Sequence, residues 1–167
     1  MRKFLLNFSI VISVLFLGSG CFLSGGNNVL EAQKFAMEPL MVVKADGSSV
    51  ELSVAIADSH EERVKGLQGV SGLGSYEGMW FVFSDDAVRE FWMKDMQISL
   101  DIIFVDADFR VTTFVENAAA CSTMDPEQVD CTHYSSVESV RYALELKAGS
   151  VKDYGIQVGD TIRWPVL

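Results

Sequence analysis

Residues 50–57 read Val-Glu-Leu-Ser-Val-Ala-Ile-Ala. Val50, Leu52, Val54 and Ile56 alternate with Glu51, Ser53, Ala55 and Ala57, a strict period of two that belongs to a strand with one buried face. Immediately upstream, Asp46-Gly47-Ser48 supplies a turn and Leu40-Met41-Val42-Val43 a preceding strand. Immediately downstream, Ser59 stands three residues ahead of Glu62, a capping box. It opens one short helix that carries Val64 and Leu67 and stops near Gly66. His60 falls in the exposed first turn of that helix, which is not a position that by itself makes a catalytic group.

Further strands follow. Residues 78–83 (GMWFVF) and Phe91-Trp92-Met93 are short, apolar and aromatic, while residues 100–105 (LDIIFV) are apolar on both faces except for Asp101. Phe109 to Glu116 alternates again, as do Tyr142, Leu144 and Leu146 against Arg141, Glu145 and Lys147. Gly155 and Gly159-Asp160 form turns before a last strand at Thr161 to Trp164. Seven or eight short strands and one helix predict a mainly β (α+β) fold, a compact antiparallel, barrel-like domain. The glycines at 66, 69, 72, 74 and 78 form a backbone loop. They lack the Lys-Ser/Thr of a phosphate loop, and Leu73 stands where a nucleophile elbow before Ser75 needs glycine.

The run GMWFVF, then FWMKDMQISLDIIFVDADFRV, YALELKAG and GIQVGD resembles domain of unknown function 192, also called uncharacterised protein family 0127. The resemblance covers roughly residues 39 to 166. It implies a small β-rich fold, often exported, and carries no established activity, cofactor or catalytic residue. The chain departs from the family pattern in two places. Gly66-Leu67-Gln68-Gly69-Val70 stands where Gly-Leu-Met and a basic residue are usual. Lys94-Asp95-Met96 and Ser99 stand where Lys-Asn-Thr and a later proline are common. If these positions hold a shared ligand, this member holds it differently.

The N-terminus, MRKFLLNFSIVISVLFLGSGC, has a basic start at Arg2 and Lys3 and a nearly unbroken apolar run from Phe4 to Leu17. At about 1.5 Å per residue, fourteen residues reach some 21 Å, short of a hydrocarbon core of roughly 30 Å. A cleaved signal peptide over residues 1–20 is therefore expected rather than a permanent span. Leu17 to Cys21 resembles a lipobox, with Gly18 where leucine is usual, and Ser24-Gly25-Gly26-Asn27-Asn28 follows as a flexible tether. Cys21 is expected to be lipidated, with the tether running to residue 38 and one domain over 39–167. Phe22 replaces the aspartate of an inner-membrane retention signal, which in a two-membrane cell points to the outer membrane. The chain carries a net charge of −10, and without Arg2 and Lys3 its 11 basic residues face 23 acidic ones. No basic patch remains, which argues against a nucleic-acid partner.

Within the domain, Cys121 and Cys131 flank an acidic loop and predict a disulfide in an exported protein. Adding His133 would suggest a metal site, but it lacks a fourth ligand and paired ligand spacing. Asp125, Glu127 and Asp130 lack the spacing and glycine of a calcium loop. Met79, Met93 and Met96, with Trp80 and Trp92, suit a core better than copper. No metal and no cofactor is expected. One candidate polar pocket remains, Arg63, Trp92, Lys94, Asp95 and Asp101, because a carboxylate buried in an apolar strand needs a partner. Asp101 is there either to bond neighbouring charges or backbone amides, or to line a small site with an aromatic wall. No paired acids, Cys-His couple or Ser-His-Asp set is legible. The expected role is a non-catalytic envelope module that binds a ligand or an envelope protein, the alternative an enzyme built around Asp101.

Overall fold

The computed structural model describes residues 35–121 and 131–164. The expected signal peptide, Cys21, most of the tether, and Asp125, Glu127 and Asp130 lie outside the described residues. Nine strands and two short helices are described: β1 (Met37–Val43), β2 (Ser49–Ala57), α1 (His60–Lys65), β3 (Glu77–Ala87), β4 (Glu90–Trp92), β5 (Leu100–Val105), β6 (Val111–Ala118), β7 (His133–Ser135), β8 (Val140–Lys147), α2 (Ser150–Tyr154) and β9 (Thr161–Arg163). Seven strands form one curled sheet in the order β6-β5-β8-β3-β2-β1-β9, and β4 pairs with β7 in a separate ribbon. The curl brings the two edges together at one corner. There Val111 N–H donates to Asp160 O at 2.9 Å and Ile162 N–H to Phe109 O at 2.8 Å.

The mainly β, half-barrel fold is the one the alternation predicts, with two differences. Strands β2 and β3 pair in parallel, Ser53 opposite Glu77 through Ala57 opposite Phe81. Parallel neighbours need a crossover, and here α1 and the glycine-punctuated loop provide it. The second helix, α2, was not expected. Its N-cap is Gly149 with no side-chain cap, so it carries no local start signal. What caps it comes from fifty residues earlier. Asp101 Oδ2 accepts from Val151 N–H at 2.8 Å.

The central strands are buried on both faces. Met79, Phe81, Ile102, Phe104 and Ala143 belong to one core cluster, and Trp80, Ile103, Val105, Leu144 and Leu146 to the other. Even β2 obeys the one-sided pattern only in its first half, because Ala55 and Ala57 are fully buried as well. Packing between β3 and β8 is tight at Gly78, where a Cβ would stand 2.5 Å from Glu145 O and 2.6 Å from Leu146 Cδ2. A side chain there would push the two central strands apart. Met79, Met93 and Met96 pack in the first cluster.

Cys121 and Cys131 form a disulfide with their Cα atoms 5.7 Å apart. Cys121 is also hydrogen-bonded to the segment after β4, its N–H donating to Met93 O at 3.0 Å while its O accepts from Asp95 N–H at 2.8 Å. The bridge thus ties the start of β7 to the segment after β4. Closing a loop of this size contributes about 2–4 kcal/mol. Reduction is expected to lower the melting temperature of the oxidised protein, and thiol titration before reduction should find Cys121 and Cys131 unreactive. An unchanged melting temperature on reduction would show that the bridge adds nothing to the fold.

Candidate functional site

A cavity of about 400 Å³ opens on one face of the sheet, between α1, the far half of β3, β4 and the middle of β8. The capping box fixes α1 at its edge. Glu62 N–H donates to Ser59 Oγ at 3.2 Å and Ser59 N–H donates to Glu62 Oε2 at 3.0 Å. These bonds hold the Glu62 carboxyl below its ordinary range. The next residue, Arg63, points its guanidinium at the sheet, where Nη1 donates to Val82 O at 2.9 Å and to Asp58 O. Its charge also lies 5.4 Å from the centre of the Phe83 ring.

Arg89, in the turn between β3 and β4, approaches the same ring more closely, at 4.1 Å. It forms an ion pair with Asp85, Nη2 to Oδ1 at 2.9 Å, and this bond and the adjacent positive charge lower the Asp85 carboxyl. The turn is clipped to the chain ahead of β8, since Arg89 N–H donates to Ser136 Oγ and Ser136 N–H to Arg89 O. Phe91 then inserts edge-on against Phe81 at 5.1 Å and Phe104 at 5.7 Å. Beside it, Trp92 is 46% exposed at the cavity's rim.

The deepest polar group is Glu145 on β8. It is 6% exposed, yet its side chain lines the cavity. No hydrogen bond or ion pair reaches its carboxyl among the described residues. Burial alone pushes the group up to about 8, so at neutral pH it is a neutral acid that can both donate and accept.

Of the residues singled out from the sequence, the structure brings Arg63 and Trp92 to this cavity. Lys94 lies outside it, its Nζ 5.2 Å from the Trp92 ring centre. Asp95 is exposed in the turn after β4, with φ 58°. Asp101 is fully buried on the opposite face of the sheet, in the row that holds Ile103 and Val105. Its Oδ1 accepts from Asn117 N–H and its Oδ2 from Val151 N–H, both at 2.8 Å. A pocket around Asp101 is therefore corrected: the sheet itself separates it from Arg63 and Trp92, and its oxygens are committed to backbone amides. His60 is exposed on α1 at the rim. His133 Nδ1 lies 2.7 Å from Glu90 Oε1.

Glu145 is what the sequence reading missed. The alternation of Tyr142, Leu144 and Leu146 against Arg141, Glu145 and Lys147 implies a one-sided strand with Glu145 on its polar face. The signal against that reading is the apolar Ala143 between Arg141 and Glu145, on the same face as both.

Comparison with known proteins agrees with this architecture. Residues 41–164 match the model of the family DUF192, described as uncharacterized ACR. A crystal structure of a candidate transcription regulator from Sinorhizobium meliloti 1021 is similar, with 31% identity and a TM-score of 0.70 over 77% of this chain and 94% of that one. A protein of unknown function from Novosphingobium aromaticivorans DSM 12444 is 30% identical, with a TM-score of 0.68 over 77% of this chain and 85% of that one. No curated protein matches the chain.

Two stability measurements separate Asp101 from Glu145. Removing the Asp101 side chain leaves two N–H groups unsatisfied, so Asp101→Ala is expected to cost about 3–5 kcal/mol. Asp101→Asn keeps one acceptor oxygen, so it should fall between the two. Chemical denaturation measures both, and a wild-type midpoint for Asp101→Ala would remove its structural role. For Glu145 the sign is opposite to that of a paired acid. Its carboxyl rises from 4.5 to about 8 on folding. The stability it contributes is fully present below about 4.5 and is lost as pH rises through 8. Glu145→Gln should therefore gain on the wild type steadily between pH 5 and 8 in melting temperature, and a pH-independent difference would contradict its burial as a neutral acid.

Proposed function

The chain belongs to the DUF192 family, and from that premise we propose that it is a lipid-anchored module of the cell envelope that binds a small organic ligand. The observation that carries the binding role is Glu145, a buried carboxyl without a partner among the described residues, lining a cavity walled by Phe81, Phe83, Phe91 and Trp92. A polar group left unpaired in the interior is costly. Aromatic walls with a few convergent polar groups are the usual build of a small-molecule site. The anchoring role rests on the sequence around Cys21, with its basic start, short apolar run and small-residue approach. Two or more acyl chains would make such an anchor durable.

The name of the Sinorhizobium relative suggests nucleic acid. A net charge of −10 favours no such partner for this chain. A second reading has one observation in its favour. A carboxyl that titrates near 8 suits general acid–base chemistry at neutral pH. That enzyme would be built around Glu145, not Asp101. No second catalytic group within reach of the carboxyl is in evidence among the described residues, so binding is the better-supported role.

Expression of the full chain with its own leader tests both halves. The protein should partition into detergent, and Cys21→Ser should abolish that. Native mass spectrometry of the extracted protein should show a bound small molecule that Trp92→Ala releases. Partitioning that survives Cys21→Ser would replace the lipid with a retained helix. An adduct indifferent to Trp92→Ala would place the ligand elsewhere.

A further inference from the structure

Resting on that reading of the cavity, we infer that its ligand carries an organic ammonium group, which pairs with the Glu145 carboxylate while its apolar part lies against Phe91 and Trp92. The charged groups lining the cavity differ in what they already face. On β3 and the following turn, Asp85 and Arg89 pair at 2.9 Å, while Arg89 Nε is buried without a hydrogen-bond partner among the described residues. On β4, Glu90 faces His133 at 2.7 Å. On α1, Arg63 is held by two backbone carbonyls and the face of Phe83. His60 and Lys65 are exposed, where water and salt screen them. On β8, Arg141 has the same parity as Ala143 and Glu145 and pairs with Asp86 at 2.7 Å, while Lys147 is exposed at the end of the strand. Ile102 lies opposite on β5. Of the buried carboxyls lining the cavity, that of Glu145 has no partner among the described residues, and it stands beside an aromatic wall that also holds the unbonded Arg89 Nε.

An aromatic face attracts a cation through its quadrupole, and more strongly where water is excluded. A carboxylate attracts the same cation, so wall and acid select one ligand chemistry between them. An anionic ligand would instead meet Glu145 as a like charge once the acid ionises. The proton balance follows. In the free protein at neutral pH the carboxyl holds its proton. When the ammonium enters, the carboxyl gives that proton to solvent and the ion pair forms in its place, so affinity rises with pH until the free carboxyl is itself ionised.

The test uses the full-length protein in a non-ionic detergent and three probes of similar shape: benzyltrimethylammonium, whose charge does not titrate, benzyl alcohol and benzoate. Calorimetry is run in two buffers of different ionisation enthalpy. Benzyltrimethylammonium is expected to bind about tenfold tighter per pH unit between pH 6 and 7.5, level off above pH 8, and release close to one proton at pH 7. Glu145→Gln should bind it weakly with no pH dependence and no proton release. Trp92→Ala, at a half-exposed position that leaves the fold intact, should weaken binding but keep the pH dependence. Failure of the cation to bind, or binding unaltered by Glu145→Gln, overturns the inference. If benzyl alcohol or benzoate binds instead and Trp92→Ala weakens it, the ammonium is wrong and the ligand cavity stands. If none of the three binds and the extracted protein carries no small molecule, both fall.

Discussion

Burial of the central sheet on both faces is the constraint from which the rest follows. Strands β3, β5 and β8 are packed above and below, so a polar side chain on them is costly unless it is bonded, neutralised or in a cavity. Besides Glu77 at the start of β3, two carboxyls break this apolar layer almost side by side. In the pairing of β5 with β8, Asp101 lies opposite Leu146 and Ile102 opposite Glu145. Neighbouring register positions with opposite parity put the two acids on opposite faces. Each is accommodated by a different device. Asp101 accepts two backbone N–H groups and so joins the end of β6 and the start of α2 to the sheet. Glu145 has no such bonds and is accommodated by holding its proton.

Around Glu145 the fold assembles a wall instead of a partner. The residues that form it come from elements fixed independently of one another. The capping box orients α1, the Ser136 clip holds the turn at Arg89, and the disulfide with its flanking backbone bonds steadies the segment after β4. Phe83 sits between two guanidinium groups, which occupies both cations with aromatic and backbone contacts. The result is a rigid aromatic enclosure whose charge is mostly internal. Rigid, preorganised sites lose less free energy on binding than ones that must order themselves.

How far the residues alone revealed this depends on the range of the interactions. Strands with local alternation, such as β2, and the helix with a local start signal, α1, were legible because period and capping box lie within a few residues. The short helix α2 was not, since its cap is supplied by Asp101 across the fold. The parallel pairing of β2 with β3 was likewise hidden, because strand direction is set by the path of the crossover and not by side-chain period. In the candidate site, Arg63 and Trp92 were within reach of the sequence, but the reasoning that flagged Asp101 as an acid in an apolar strand applied equally to Glu145. Alternation of Tyr142, Leu144 and Leu146 masked it. Parity would also have shown that Asp101 shares a face with Ile103 and Val105, away from the aromatic cluster.

Why an acid stands at Glu145 can be argued from its two protonation states. A glutamine would fill the same space and offer the same donor and acceptor without burying an ionisable group. A neutral glutamic acid gives no advantage over it in the unliganded protein, and above pH 4.5 it lowers stability, because the unfolded chain releases a proton that the folded one keeps. The acid differs usefully from the amide only when it ionises, and it ionises inside the cavity only if something there compensates the charge. The Asp101 oxygens are instead occupied by the backbone N–H groups of Asn117 and Val151. For Glu145 no described residue supplies the compensating group, which makes the cost of the free carboxyl the source of its selectivity for whatever brings a positive charge.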